Sequence, residues 1–346
     1  MPVVLDNPFR GHGLALDAPM PADDPTGVAG LLANCPAHAA TPLIDAAPLA
    51  TRTGVASVSI KDERNRMGLG SFKALGAAYA IAREAAAQGT DWPTSLGDRT
   101  YVTASAGNHG LSVAAGARLF GARAVIYLAE TVPQSFAARL KAKGADVVYE
   151  GRNYEASMAA AEAAAQSNGW TLLSDSSWPG YTELPYRVME GYLQLAAEAA
   201  GQIAKPPTHI LLQAGVGGLA AAVAAFARRA WGDAPRIVVV EPDAAPALHE
   251  SIRAGKVIDT EGPVSCMGRL DCKTPSMIAL NGLARDADAF ATITEAEAER
   301  GADVLAELGL ATTPSGGAGL AALIAGLDPG PDARVLAILS EGPEDA

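Results

Sequence analysis

The chain has 346 residues, 49% hydrophobic and 18% charged. That length is about the size at which one core divides into two lobes, and the composition excludes a disordered, fibrous or small disulfide-stapled protein. Thirty-eight acidic against 26 basic side chains leave a formal charge of −12, which repels nucleic-acid phosphates and anionic lipid in the absence of a strong basic patch, so neither is an expected partner.

The first fifty residues are rich in Pro, Asp and Ala without a clear period and read as an arm wrapping the core. Their early charges, Asp6, Arg10, Asp17, Asp23 and Asp24, break any apolar run of the kind a signal peptide needs. The longest strongly apolar stretch, Leu219 to Ala227, falls far short of the roughly 20 residues that span a bilayer. Cys35, Cys266 and Cys272 are odd in number and scattered, which suits structural thiols in a reducing compartment and predicts a cytoplasmic protein. Cys266 and Cys272 are spaced too widely for a zinc pair, and no metal is expected.

From about residue 100, short β-branched runs alternate with longer alanine-rich stretches. Tyr101 to Ser105, Ala124 to Leu128, Val147 to Tyr149 and Trp170 to Leu173 read as strands of a parallel sheet joined by helices. A long helix is predicted over Tyr186 to Ile203, stopped by Lys205-Pro206-Pro207. The strand rhythm resumes with His209 to Leu212, Ile237 to Val240, Phe290 to Thr294 and Val335 to Leu339, a second sheet.

Four constellations sit where such a fold places chemistry. In Gly68-Leu69-Gly70-Ser71-Phe72-Lys73, a flexible turn enters a helix with Lys73 in its opening turn. The helix dipole and burial there are expected to depress the lysine pKa and favour a nucleophilic amine, although a surface lysine fits the spacing as well. In Thr103-Ala104-Ser105-Ala106-Gly107-Asn108-His109-Gly110 a strand ends and a helix begins, presenting backbone N–H groups that suit an anion. Asn108 and His109 fit ordinary capping equally. Gln213-Ala214-Gly215-Val216-Gly217-Gly218 follows a buried strand and leads into an alanine-rich helix, a phosphate-binding arrangement that is neither the full dinucleotide fingerprint nor a P-loop. Ser340 ends the last strand, where a hydroxyl can meet a ligand ring.

Taken in order, S-F-K, S-A-G-N-H-G, the glycine loop and the strand-end serine resemble the fold type II pyridoxal phosphate enzymes, the group of the serine and threonine dehydratases. More narrowly, Met67 to Gly76, the run Asp175-Ser176-Ser177-Trp178-Pro179-Gly180-Tyr181-Thr182, Leu212 to Gly217 and Glu241-Pro242-Asp243 are similar to the diaminopropionate ammonia-lyases. The resemblance implies a two-domain α/β fold like the tryptophan synthase β chain, each domain a mostly parallel twisted sheet flanked by helices. Residues 1–85 plus 204–346 would form the large cofactor-binding domain, and 86–203 a small mobile domain holding the substrate carboxylate.

Carried over position by position, the resemblance implies that Lys73 bears the pyridoxal 5'-phosphate. Phe72 would lie beside it, Asn108 would bond the ring hydroxyl, and Ala214, Gly215, Val216, Gly217 and Gly218 would hold the phosphate. Ser340 would face the ring nitrogen. Thr103, Ser105, Ala106, Gly107 and His109 would line the substrate site, and Asp175 would lie near the substrate as acid or ammonium ligand, its alternative being a capping or surface aspartate. The ammonia-lyases usually read T-D-G-N-H-G, whereas Ala106 stands here at the aspartate, so this segment is more similar to the dehydratases. Three readings follow: α,β-elimination from a diaminopropionate-like amino acid, dehydration of a hydroxy amino acid, or, in a different class, a non-catalytic ligand-sensing module. A small-molecule amino acid is the implied partner and a homodimer the implied assembly.

Overall fold

The computed structural model describes residues 1–89 and 92–343. Its strands in chain order are β1 (Val3–Asp6), β2 (Leu43–Asp45), β3 (Ser57–Asp62), β4 (Thr100–Ala104), β5 (Arg123–Leu128), β6 (Asp146–Tyr149), β7 (Thr171–Leu172), β8 (His209–Gln213), β9 (Arg236–Pro242), β10 (Ala289–Ile293) and β11 (Arg334–Leu339). They make two sheets, as the alternating pattern predicts. One has the order β1-β10-β9-β8-β11-β3-β2, the other β6-β5-β4-β7. The smaller sheet is wholly parallel, and the larger is parallel except at its edges, where β1 pairs with β10 and β2 with β3 antiparallel.

The N-terminal segment is more ordered than its composition suggests. It supplies both edge strands of the large sheet, so pairing groups that would otherwise lie open are covered by the chain's own start. Strand β3 was hidden in Ser57–Asp62, a six-residue alternation centred on the buried Val58 and Ile60. The long helix expected over Tyr186 to Ile203 is two helices, Glu183–Gly191 and Leu193–Gln202, meeting at Tyr192. Packing at this joint is close. A Cβ on Gly191 would lie 2.6 Å from the Leu75 carbonyl oxygen, and one on Gly76 would lie 2.6 Å from the Tyr192 ring. Two glycines thus let the helix Lys73–Gln88 approach the joint until the Tyr192 ring fits between them.

A buried ionic network anchors the chain just before Lys73. Arg66, fully buried, reaches Glu63 and Glu198, each at 2.7 Å, and donates to the Ala39 carbonyl at 2.8 Å. Lys61, also fully buried, meets Glu198 at 2.7 Å and the Thr41 carbonyl at 2.6 Å. Two cations and two carboxylates thereby tie together the N-terminal segment, β3 and the helix Leu193–Gln202. Met67, next in the chain, adopts a left-handed backbone at φ +52°, a conformation that persists where surrounding contacts over-determine it.

Burial by itself would raise the Glu198 carboxyl, but Arg66 and Lys61 hold it at about 2. A carboxyl with a depressed folded-state pKa adds stability that is complete above its unfolded value and lost as pH falls through the folded one. The contribution of Glu198 is therefore expected to fade between the ordinary carboxylate range and about pH 2. Arg66→Met leaves two buried carboxylates facing one lysine and is expected to cost about 3–5 kcal/mol, measured as the loss of unfolding free energy in denaturant at neutral pH.

Candidate active site

The four constellations converge although they are spread over the whole chain. Lys73 is the first residue of the helix Lys73–Gln88. The preceding turn is fastened to the end of β11: the Phe72 amide donates to the Ser340 carbonyl at 3.0 Å, and Ser71 pairs with Glu341 in an antiparallel bridge. Ser340 in turn donates its amide to the Gly316 carbonyl at 3.1 Å. Phe72 and Ser340 are thus placed beside Lys73 by main-chain bonds.

The Lys73 ammonium forms a short ion pair with Asp175. Both lie in a cleft that leaves 21% and 17% of their side-chain surface accessible. Burial alone would lower the Lys73 amine, yet the Asp175 carboxylate holds it well above the ordinary lysine range. This reverses the depressed pKa expected from the helix dipole and desolvation, because a carboxylate in contact outweighs both. Burial would raise Asp175, and Lys73 keeps it well below the usual carboxylate range. The arrangement stores a proton on nitrogen until something separates the pair.

Asp175 is held by its own motif. The Tyr181 hydroxyl donates to the Leu172 carbonyl at 2.8 Å and accepts from the Ser174 amide at 3.0 Å, closing the loop. The Ser177 hydroxyl meets the Ser276 hydroxyl at 2.7 Å and accepts from the Ile278 amide at 3.0 Å. Ser276 also donates its amide to the Val216 carbonyl at 3.0 Å. One serine therefore links the Asp175 loop to the glycine loop.

That loop, Ala214 to Gly218, runs from β8 into the helix Gly218–Trp231. Gly217 sits at φ +98°, with a Cβ there only 3.0 Å from Ala279 Cβ and Leu248 Cδ1. A Cβ on Gly215 would lie 2.9 Å from Cys272 Sγ and 3.1 Å from the Arg269 carbonyl oxygen. Any side chain at either position would press on these neighbours and shift the loop. Gln213 fixes the approach by donating to the Gly316 and Ile338 carbonyls at 2.8 and 3.0 Å.

The S-A-G-N-H-G turn enters the helix Asn108–Leu119, with Gly107 at its N-cap. The Ser105 hydroxyl accepts from the Gly107 and Gly110 amides at 3.2 and 3.1 Å, so it shapes the turn, and two of the amides are already engaged by it. The amides of Ala106, Asn108 and His109 are not held by that hydroxyl. The Asn108 side chain donates to Glu341 in a short contact. His109 is buried; its Nε2 lies 2.8 Å from the Leu173 carbonyl. Since a carbonyl only accepts, Nε2 carries the hydrogen, and burial keeps the ring below its ordinary pKa, hence neutral. Thr103 stays within β4, fully buried, its hydroxyl without a partner among the described residues.

Four further residues belong to this cleft. The Tyr192 ring meets Phe72 edge-on at 4.9 Å, and its centroid lies 5.9 Å from Lys73 Nζ. Burial pushes the Cys272 thiol up to about 12, with Asp175 adding to the rise and Lys73 opposing it, so this thiol stays protonated against the glycine loop. Glu341 accepts from Asn108 and Thr313 and lies 3.9 Å from Arg269 Nε. Sequence spacing signalled none of these four except Glu341, which follows Ser340 directly. Among the described residues no cluster of His, Cys, Asp or Glu could hold a metal ion, and no helix is long and apolar enough to cross a membrane.

Two sheets and a lysine ringed by a glycine loop, a strand-end serine and an amide-rich turn define a class, and the sequence profile described as "Pyridoxal-phosphate dependent enzyme" matches residues 35–341. The chain belongs to that family. It is 36% identical to the diaminopropionate ammonia-lyase of Salmonella typhimurium over 270 residues, 70% of this chain and 66% of that enzyme, so the match spans slightly under two thirds of that relative. It is 31% identical to the L-serine dehydratase/L-threonine deaminase of Mus musculus over 223 residues, 64% of this chain and 62% of that one. The crystal structure of diaminopropionate ammonia-lyase from Escherichia coli in complex with D-serine superposes with a TM-score of 0.90 at 29% identity, covering 99% of this chain and 94% of that one.

The residues present suit the family's cofactor. Gly215 and Gly217 form a turn in which any added Cβ would press on its neighbours, the next helix opens there, and the Ser71 hydroxyl, two residues before Lys73, is buried without a hydrogen-bond partner among the described residues. Gly215→Ala is expected to weaken retention of pyridoxal phosphate by about tenfold or more, read as the apparent Kd in an absorbance titration. An unchanged Kd would remove this loop from the binding site.

Proposed function

We propose that the protein is a pyridoxal phosphate-dependent lyase that removes a β-substituent from an amino acid, yielding a 2-keto acid and ammonia. The observation carrying this reading is the Lys73–Asp175 pair, an amine and a carboxyl positioned to exchange a proton within a cleft whose other walls suit a phosphate and a substrate carboxylate. The diaminopropionate ammonia-lyase and serine dehydratase relatives support elimination, and the two leave the departing group as amine or hydroxyl.

Lys73 would carry the cofactor, with Ala214 to Gly218 holding the phosphate, Ser340 facing the ring nitrogen, Asn108 facing the ring hydroxyl, and Phe72 and Tyr192 packed beside them. Bound there, the cofactor supplies the electron sink that lets a Cα–H bond break. A neutral serine opposite the ring nitrogen does not hold a full proton there as a carboxylate would, which favours loss of a β-substituent over transamination.

The remaining work falls to this chain. The substrate carboxylate is received at the turn from Ser105 to His109, where amides open at the start of a helix. The Lys73 amine takes the Cα proton. Asp175, an ionised carboxylate beside that amine, relays the proton taken from Cα to the departing amine or hydroxide, a service typically worth about 10² to 10⁴ in rate. We read residues 86–203 as the unit that closes on 1–85 and 204–346, excluding water from the cleft. The protein is further read as a cytoplasmic homodimer, which sedimentation analysis tests.

Borohydride reduction of the holoprotein followed by peptide mapping is expected to fix the label on Lys73, with none in Lys73→Ala; a label on another lysine overturns the reading. Asp175→Asn is expected to lower kcat by about 10² to 10⁴ while cofactor absorbance is retained, and to remove from the pH profile of kcat the ionisation due to this carboxyl.

A further inference from the structure

The helix Met277–Asp286 begins where two parts of the cleft meet, and its first turn is completed by a residue from elsewhere in the chain. Ser276 stands at the N-cap, but its hydroxyl accepts from none of the helix's own amides. Ser177 serves them instead: its carbonyl accepts from the Met277 amide at 3.0 Å and its hydroxyl from the Ile278 amide at 3.0 Å. In return the Ser276 hydroxyl accepts from the Ser177 amide at 3.2 Å, and the two hydroxyls meet at 2.7 Å. Both residues are buried, so water does not take over a bond that is lost.

The same helix start carries the glycine loop. The Ser276 amide donates to the Val216 carbonyl at 3.0 Å. A Cβ on Gly217 would lie 3.0 Å from Ala279 Cβ and 3.4 Å from Leu283 Cδ1, both on this helix. On the other side Ser177 lies two residues after Asp175, in the loop that Tyr181 closes. A displacement of Val216 is therefore passed through one amide bond to Ser276, through one hydroxyl pair to Ser177, and so to the partner of Lys73.

We infer that Ser276 is a positioning residue that couples the glycine loop to Asp175, so that a phosphate held by Ala214 to Gly218 steadies the carboxylate beside Lys73. The inference rests on the reading of that loop as the phosphate site and deepens it. A glycine loop of this kind binds an anion with its main-chain amides, which fixes the backbone that Ser276 grips. By linkage the coupling runs both ways, and a steadied Asp175 loop tightens the hold on the phosphate by the same factor. The route is a chain of bonds between packed elements, each of which can be removed singly.

The test takes the full chain free of cofactor, uses inorganic phosphate as the probe, and follows amide hydrogen exchange by mass spectrometry. Saturating phosphate is expected to slow exchange in residues 214–218 and, in wild type, to slow it in residues 174–182 by about 5-fold or more, the scale of coupling between sites. Ser276→Ala and Ser177→Ala each keep the main-chain bond to Val216 and lack the hydroxyl pair, so both should retain the first effect and lose the second. Slowing at 214–218 with none at 174–182 in wild type overturns the proposal, as does equal slowing at 174–182 in wild type and both variants. No slowing at either segment rejects the phosphate-site reading itself, so the two failures are distinguishable. The holoenzyme gives a second readout. Each variant should lower kcat by about 10- to 100-fold, the scale of a small misplacement, with KM little changed. The double variant should lose no more than the worse single one, because both remove one link. A fall in Tm with kcat unchanged, or losses that multiply in the double variant, also overturns it.

Discussion

The site depends on one ion pair, between the ammonium of Lys73 and the carboxylate of Asp175, made across 102 residues of chain. Each charge alone would be costly in such a cleft, and each is maintained by the other. The pair joins the large sheet, whose turn carries Lys73, to the loop that follows β7 of the small sheet, whose motif carries Asp175. It also reverses the simple expectation for a lysine at a helix start, since a carboxylate in contact acts more strongly than a diffuse dipole.

That contact demands exact placement of both partners, and much of the surrounding structure serves that end. On the lysine side, the Arg66–Glu63–Glu198–Lys61 network pins the backbone before the turn, and main-chain bonds to Ser340 and Glu341 pin the turn itself. On the aspartate side, Tyr181 closes the loop and the Ser177–Ser276 bond locks it to the glycine loop. Close approaches at Gly76 and Gly191 allow the Tyr192 ring to complete the wall. Polar satisfaction and small residues are thus spent on geometry at the one place where a misplacement of an ångström would separate an acid from its base.

The local grammar of the chain determined the parallel α/β architecture, the main strands of both sheets, and the residues of each loop, because strand and helix periods, glycine turns and helix starts are written within ten or twenty neighbouring positions. The order of S-F-K, S-A-G-N-H-G, the glycine loop and Ser340 likewise pointed to the family. Tertiary structure alone decided the edge strands drawn from the first fifty residues, the break at Tyr192, the charge state of Lys73, and the arrival of Arg269 and Cys272 in the cleft. Those features arise from contacts between segments far apart in sequence, where packing distance and mutual charge, which no local pattern encodes, set the outcome.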